Sequence, residues 1–104
     1  MAVYSVQHSQ SSEEDLLDIL RYIATELREP SIALRMLDTI DAAIESLSTM
    51  PHRCPLVDDK RLADMGFRKL NIKNYIAFFT IDEMAETVCI ERILYARRDW
   101  LSIL

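Results

Sequence analysis

The residues best equipped to act on a charged ligand are concentrated late in the chain: Arg61, Arg68, Lys69, Lys73, Arg92, Arg97 and Arg98. Guanidinium and ammonium groups gathered in one region suit phosphate or carboxylate, to which they donate charge-assisted hydrogen bonds. Arg92 poses the sharpest question, because it alternates with Ile90 and Leu94 on one face of a strand whose composition demands cover. A cation there needs a carboxylate, a carbonyl or a ligand, since an unpaired buried charge is strongly unfavourable. Two readings stand: a structural ion pair, with Asp99 or with an acid of the helices, and a contact to substrate. The ion pair is the simpler. Arg97 and Arg98, just past that strand, suit a solvated turn equally well.

The other reactive residues offer less. His8 falls in a short extended run and His52 in a proline-flanked loop, and an incidental surface or packing role accounts for each. Cys89 reads as a small buried hydrophobe and Cys54 as a loop thiol. The two cysteines are too few for a disulfide framework and lack metal-ligand spacing. There is no glycine-rich phosphate loop and no paired-histidine helix, so neither a metal nor a cofactor is expected.

These residues must be positioned by a small set of elements. Val3 to His8 alternates and predicts a first strand. Ser11 and Ser12 ahead of Glu13, Glu14 and Asp15 suit a helix start, where a hydroxyl accepts from a free amide and early acids face the positive end of the dipole. Leu16, Leu20, Ile23 and Leu27 then form one stripe on a helix of about 15 residues. Glu29-Pro30-Ser31 interrupts it. Ala33, Met36, Leu37, Ile40, Ala43, Ile44 and Leu47 predict a second helix, folded back as an antiparallel hairpin whose acids face solvent. The stretch from Met50 to Gly66 reads as irregular. Phe67–Ile72, Tyr75–Ile81 and Thr87–Tyr95 read as strands joined by tight turns. The middle one is apolar on both faces, which makes it central and covered twice. The predicted fold is α+β in the order β-α-α-β-β-β, an antiparallel helical hairpin on one face of a mainly antiparallel four-stranded sheet. The later residues are expected to form one cationic rim.

Bulk properties narrow the classes. A chain of 104 residues suits one domain, 1–104. No apolar run reaches the roughly 18 residues that cross a bilayer, and the amino terminus lacks the pattern of a secretory signal; no membrane association and a cytoplasmic location are expected. The net charge of −5 is unevenly spread, with four Arg/Lys against eleven Asp/Glu in residues 1–59 and eight against six in residues 60–104. A polyanion would therefore meet the second half, although an acidic chain is a poor general nucleic-acid binder.

At this point the ordered pattern of residues matters more than any one of them. The runs GFRKLNIKNYIAFFTID and TVCIERILYARRDWLSIL resemble the carboxyl-terminal core of RelE/ParE-family toxins, through Gly66, Arg68, Asn74-Tyr75, Arg92-Ile93, Arg97-Arg98, Asp99 and Trp100. The front half agrees through Tyr4-Ser5-Val6, Asp15-Leu16, Tyr22-Ile23, and Leu47 ahead of Pro51. The resemblance spans essentially the whole chain; no single motif in it is specific, but the ordered set is.

The resemblance implies a growth-inhibiting, plasmid-stabilising toxin, held inactive by a cognate antitoxin whose tail adds a strand or lays a helix in a groove. Arg97, Arg98, Trp100 and Leu101 are the candidate antitoxin contacts, although Trp100, Leu101, Ile103 and Leu104 also suit closing the core. The ParE branch binds DNA gyrase without chemistry of its own, and the closing Arg-Arg-Asp-Trp and the long hairpin resemble it better. The alternative is the RelE branch, which cleaves mRNA on the ribosome and needs a base, an acid and cations. Its candidates here are Arg68, Lys69, Arg92, Tyr95 and Arg97, an incomplete set. The middle strand carries no cation, and Tyr95 stands where many relatives have histidine, with an unperturbed pKa near 10. A further alternative is an inert partner-binding module.

Overall fold

A computed structural model describes residues 3–104. Strand β1 (Ser5–His8) leads into helix α1 (Gln10–Arg21), a π-helical turn (Tyr22–Glu26) and helix α2 (Pro30–Glu45). After a loop holding the short helix α3 (Lys60–Asp64) come β2 (Arg68–Ile72), β3 (Tyr75–Asp82) and β4 (Thr87–Tyr95). The sheet order is β1-β4-β3-β2. β2, β3 and β4 form an antiparallel meander, while β1 lies beside β4 and parallel to it. The sheet is thus mixed, with a parallel pair that the sequence left unplaced.

Local chemistry explains most boundaries. Ser9, not Ser11 or Ser12, caps α1: its Oγ accepts from the Ser12 amide at 3.0 Å. Ser12 is instead fully buried, its hydroxyl donating to the Ser9 carbonyl at 2.9 Å. Pro30 opens α2 at a position whose amide has no helical partner to lose. The six acids Glu13, Glu14, Asp18, Asp38, Asp41 and Glu45 are all exposed.

The predicted stripe on the first helix breaks at its end. The π turn inserts an extra residue, with the Leu27 amide bonded to the Tyr22 carbonyl at 3.2 Å. Ile23 is buried but Leu27 is half exposed, because the wider turn shifts it off the buried face. The irregular stretch from Met50 to Gly66 also holds more order than its sequence predicts. Asp59 accepts from the Leu62 amide at 3.0 Å and caps α3, which is too short for a periodic signal. Gly66 follows it at φ = 87°, a left-handed conformation that glycine adopts without strain.

Two apolar layers cover the sheet. Ile40, Ile44 and Leu47 of the helical arm pack on Ala77, Phe79, Val88, Ile90 and Ile93. On the other face, Ile76, Phe78 and Leu94 meet Val57 and Leu62 of the loop, with Trp100, Ile103 and Leu104 packed against them. β3 is therefore interior and covered twice, as its composition requires. Simple alternation fails in β4. Phe78 faces Arg92 and Phe79 faces Ile90, so Glu91 is an extra residue that makes a bulge. Ile90 and Ile93 consequently share the helix-side core while Leu94 joins the opposite layer.

Candidate functional site

The bulge and the end of β1 together create the setting of Arg92. β1 pairs with β4 only as far as Ile90. Beyond it the start of α1 takes over that edge: the Ser9 amide donates to the Ile90 carbonyl at 2.9 Å and its hydroxyl to the Glu91 carbonyl at 2.8 Å. Asp15 completes the substitution, with Oδ2 accepting from the Ile93 amide at 3.0 Å. The same carboxylate receives Arg92 Nε at 2.7 Å and Nη2 at 2.8 Å. The hydrogen bond to Asp15 raises the Arg92 pKa further and outweighs the opposing effect of partial burial. Of the two readings of Arg92, the structure supplies the ion pair. Its partner is a helix acid rather than Asp99.

Arg68 is engaged elsewhere. Its Nη1 donates to the Cys54 carbonyl at 2.7 Å and approaches the His52 carbonyl at 3.5 Å, tying β2 to the loop beside it. In the sheet Arg68 faces Phe79, whereas Ile72, Tyr75 and Tyr95 form a row four residues along, roughly 13 Å away at the usual strand rise. Lys69 lies in the row of Phe78 and Arg92. The basic residues thus do not form the single rim expected of them. Arg92 takes a carboxylate and Arg68 a carbonyl close at hand, because leaving a partly buried guanidinium unpaired would be more unfavourable.

At the far end of the sheet a cleft of about 680 Å³ opens between the helical arm and the strand termini. Asp15, Asp18, Ile19, Tyr22 and Leu27 line one side, and Asn74, Tyr75, Ile93, Leu94, Tyr95 and Arg98 the other. Tyr75 and Tyr95 meet edge to face, with centroids 5.9 Å apart and planes at 72°. Burial pushes the Tyr75 hydroxyl pKa up, and the nearby Tyr95 and Tyr22 add to it. Two of the candidate residues, Tyr95 and Arg98, are therefore brought together; Arg97 is exposed nearby and does not line the cleft. Trp100 packs on Phe78 at 5.1 Å and closes the core, while Leu101 is exposed.

A third cluster has no signal in the spacing of its residues. His52 Nε2 bonds to Glu83 Oε1, the Tyr4 hydroxyl donates to Glu83 Oε2 at 3.1 Å, and the Tyr4 and His52 rings meet edge-on at 5.9 Å. The His52 bond holds the Glu83 carboxyl below its ordinary pKa, the Tyr4 bond acts likewise, and desolvation opposes both. These residues are 79 and 31 positions apart, so no spacing rule could have joined them. Among the described residues no group of three His, Cys, Asp or Glu is placed to hold a metal ion, and no helix is long and apolar enough to cross a membrane.

A sequence model of the ParE toxin of type II toxin–antitoxin system, parDE, matches residues 6–100. The chain belongs to the ParE toxin family. Its structure is similar to that of the chromosomal ParDE toxin–antitoxin system from P. aeruginosa, with TM-score 0.75 and 18% identity over 91% of this chain and 98% of that one. The toxin–antitoxin complex RelBE2 from Mycobacterium tuberculosis is similar at TM-score 0.64 and 21% identity, covering 91% of this chain and 93% of that one. YafQ from E. coli follows at TM-score 0.52 and 11% identity, covering 88% and 92%. At these identities the three structures speak to the fold alone. No curated protein matches in sequence.

Proposed function

We propose that this toxin of a type II toxin–antitoxin pair inhibits growth by binding an essential target of the gyrase type, rather than by cutting RNA. The observation that supports this reading is the dispersal of the candidate catalytic groups. Arg92 is bound through two nitrogens to Asp15, and Arg68 is bound to the Cys54 carbonyl a strand's length from Tyr95. Phosphodiester cleavage needs an acid, a base and a charge stabiliser around one atom. A binding toxin needs only a surface.

A cognate antitoxin would neutralise it in the cytoplasm. Of the candidate contacts, Arg97, Arg98 and Leu101 are exposed and free to serve, whereas Trp100 is committed to the core. The juxtaposition of Tyr95 and Arg98 favours the second reading, ribosome-dependent mRNA cleavage, because it offers one acid and one cation. Induced expression separates the two. Growth arrest with a DNA-damage response, intact mRNA, and inhibition of purified gyrase supercoiling is the expected result. Codon-dependent cuts in mRNA, lost in Tyr95→Phe, would overturn it.

A further inference from the structure

The helical arm carries an apolar surface that the sheet does not use. Ile40, Ile44 and Leu47 pack on the strands, whereas Leu17, Leu20, Leu34 and Leu37 belong to neither layer of the core. With Ala24 and Pro30 they line a groove of about 440 Å³ between α1 and α2. Leu17 is 57% exposed and Leu34 66%, so two leucines of one groove stand in water. Apolar side chains gathered in this way mark a surface that a partner covers.

The charges around the groove say which partner. Within residues 10–45 the basic residues are Arg21, Arg28 and Arg35, all toward the turn that joins the helices. Arg21 pairs with Asp18 at 3.6 Å, while Arg28 and Arg35 have no ion-pair partner among the described residues. Glu29 sits in the turn beside them. Glu26, two residues past Ala24, lies on the side of its helical turn opposite the groove. On α2, Asp38, Asp41 and Glu45 follow Leu37, and Glu13 and Glu14 lie at the same end of the arm on α1. All five are exposed and without an ion-pair partner among the described residues. The face thus has a cationic tip, an apolar middle and an acidic base, which makes it complementary to its own reversed copy.

We propose that two copies of this chain associate through this face, related by a two-fold that lays one arm reversed on the other. A self-complementary patch is what such an isologous contact requires. The leucines of both copies meet at the centre. Arg35 of each copy lies against Asp38 of the other, and Arg28 approaches Glu13 and Glu45 at the far end. The other two-fold, with both arms pointing the same way, would gather the tip cations together and the base acids together. Like charges brought face to face oppose it.

The test is the oligomeric state of the purified chain without antitoxin. Sedimentation equilibrium should give twice the 12.1 kDa of one chain, with association weakened by salt. Leu34→Glu should weaken association at least about tenfold and leave thermal unfolding unchanged, because that side chain already stands in water. Arg35→Glu and Asp38→Arg should each be monomeric where the parent is a dimer, and an equimolar mixture of the two should dimerise again. In the mixed pair both contacts between copies join opposite charges, which the same-way arrangement does not provide. A dimer indifferent to Leu34→Glu, or a mixture of charge variants that stays monomeric, overturns the inference. So does a free chain monomeric at about 100 μM in which Leu34→Glu weakens only the complex with an antitoxin, a result that assigns the face to that partner instead.

Discussion

Asp15 holds Arg92 through both carboxylate oxygens, at 2.7 and 2.8 Å, while one of those oxygens also accepts the Ile93 amide at 3.0 Å. A single helix residue thereby neutralises a strand cation and finishes a strand edge. Asp15→Ala removes both functions and strands Arg92. It should lower stability by roughly 2–4 kcal/mol, a little under the ~3–5 kcal/mol for breaking a fully buried pair because Arg92 keeps some contact with solvent. Restoring shape without charge, in the double variant with Arg92→Met, should recover part of the loss. Urea denaturation of the four members of the cycle measures this, and equal stabilities of Asp15→Ala and the parent would refute it.

Ser9 has two tasks at the same junction, capping α1 through the Ser12 amide and donating to the Glu91 carbonyl at 2.8 Å. Ser9→Ala should cost about 1–2 kcal/mol, and Ser9→Asp should keep the cap yet lose the bond to Glu91. Thermal unfolding of both variants decides whether the cap or the strand contact dominates.

The Glu83 cluster predicts an acid-side dependence of stability. Its folded pKa lies below the ordinary carboxylate value, through the His52 bond first and the Tyr4 bond next. The contribution is therefore present above the unfolded pKa and disappears as pH falls through the folded one. Glu83→Gln should melt below the parent near neutral pH and converge with it in acid. Parallel melting curves across the whole range would show that the cluster does not contribute in this way.

Burial, followed by the hydrogen bond and charge of Glu91, pushes the Cys89 thiol up to about 11, and burial also raises Cys54. The thiolate is the reactive form. Both cysteines should resist alkylation at pH 8 in the native protein and react promptly once it is denatured. Fast labelling of Cys89 in the folded chain would contradict this environment.

Much of the fold was legible in the sequence because it depends on local patterning. The limits of Thr87–Tyr95, the central place of Tyr75–Ile81 and the exposed acids of the helical arm all follow from which residues can leave water. The π turn that displaces Leu27 and the bulge at Glu91 were not legible, because each inserts one residue into a regular period without a composition signal. The cap at Ser9 was missed for a similar reason: Ser9, Ser11 and Ser12 are equally good donors and acceptors, and only the path of β1 into α1 selects among them.

The candidate site divides along the same line. Sequence established that Arg92 needs a partner, since burying a charge demands one, but not which of the acids would arrive. Tertiary structure chose Asp15, joined Tyr95 to Arg98, separated both from Arg68, and assembled Tyr4, His52 and Glu83. Periodicity reports which face of an element turns inward, within a few residues of chain. The meeting of side chains tens of positions apart is decided by how the elements cross and where strands end, which no local pattern contains.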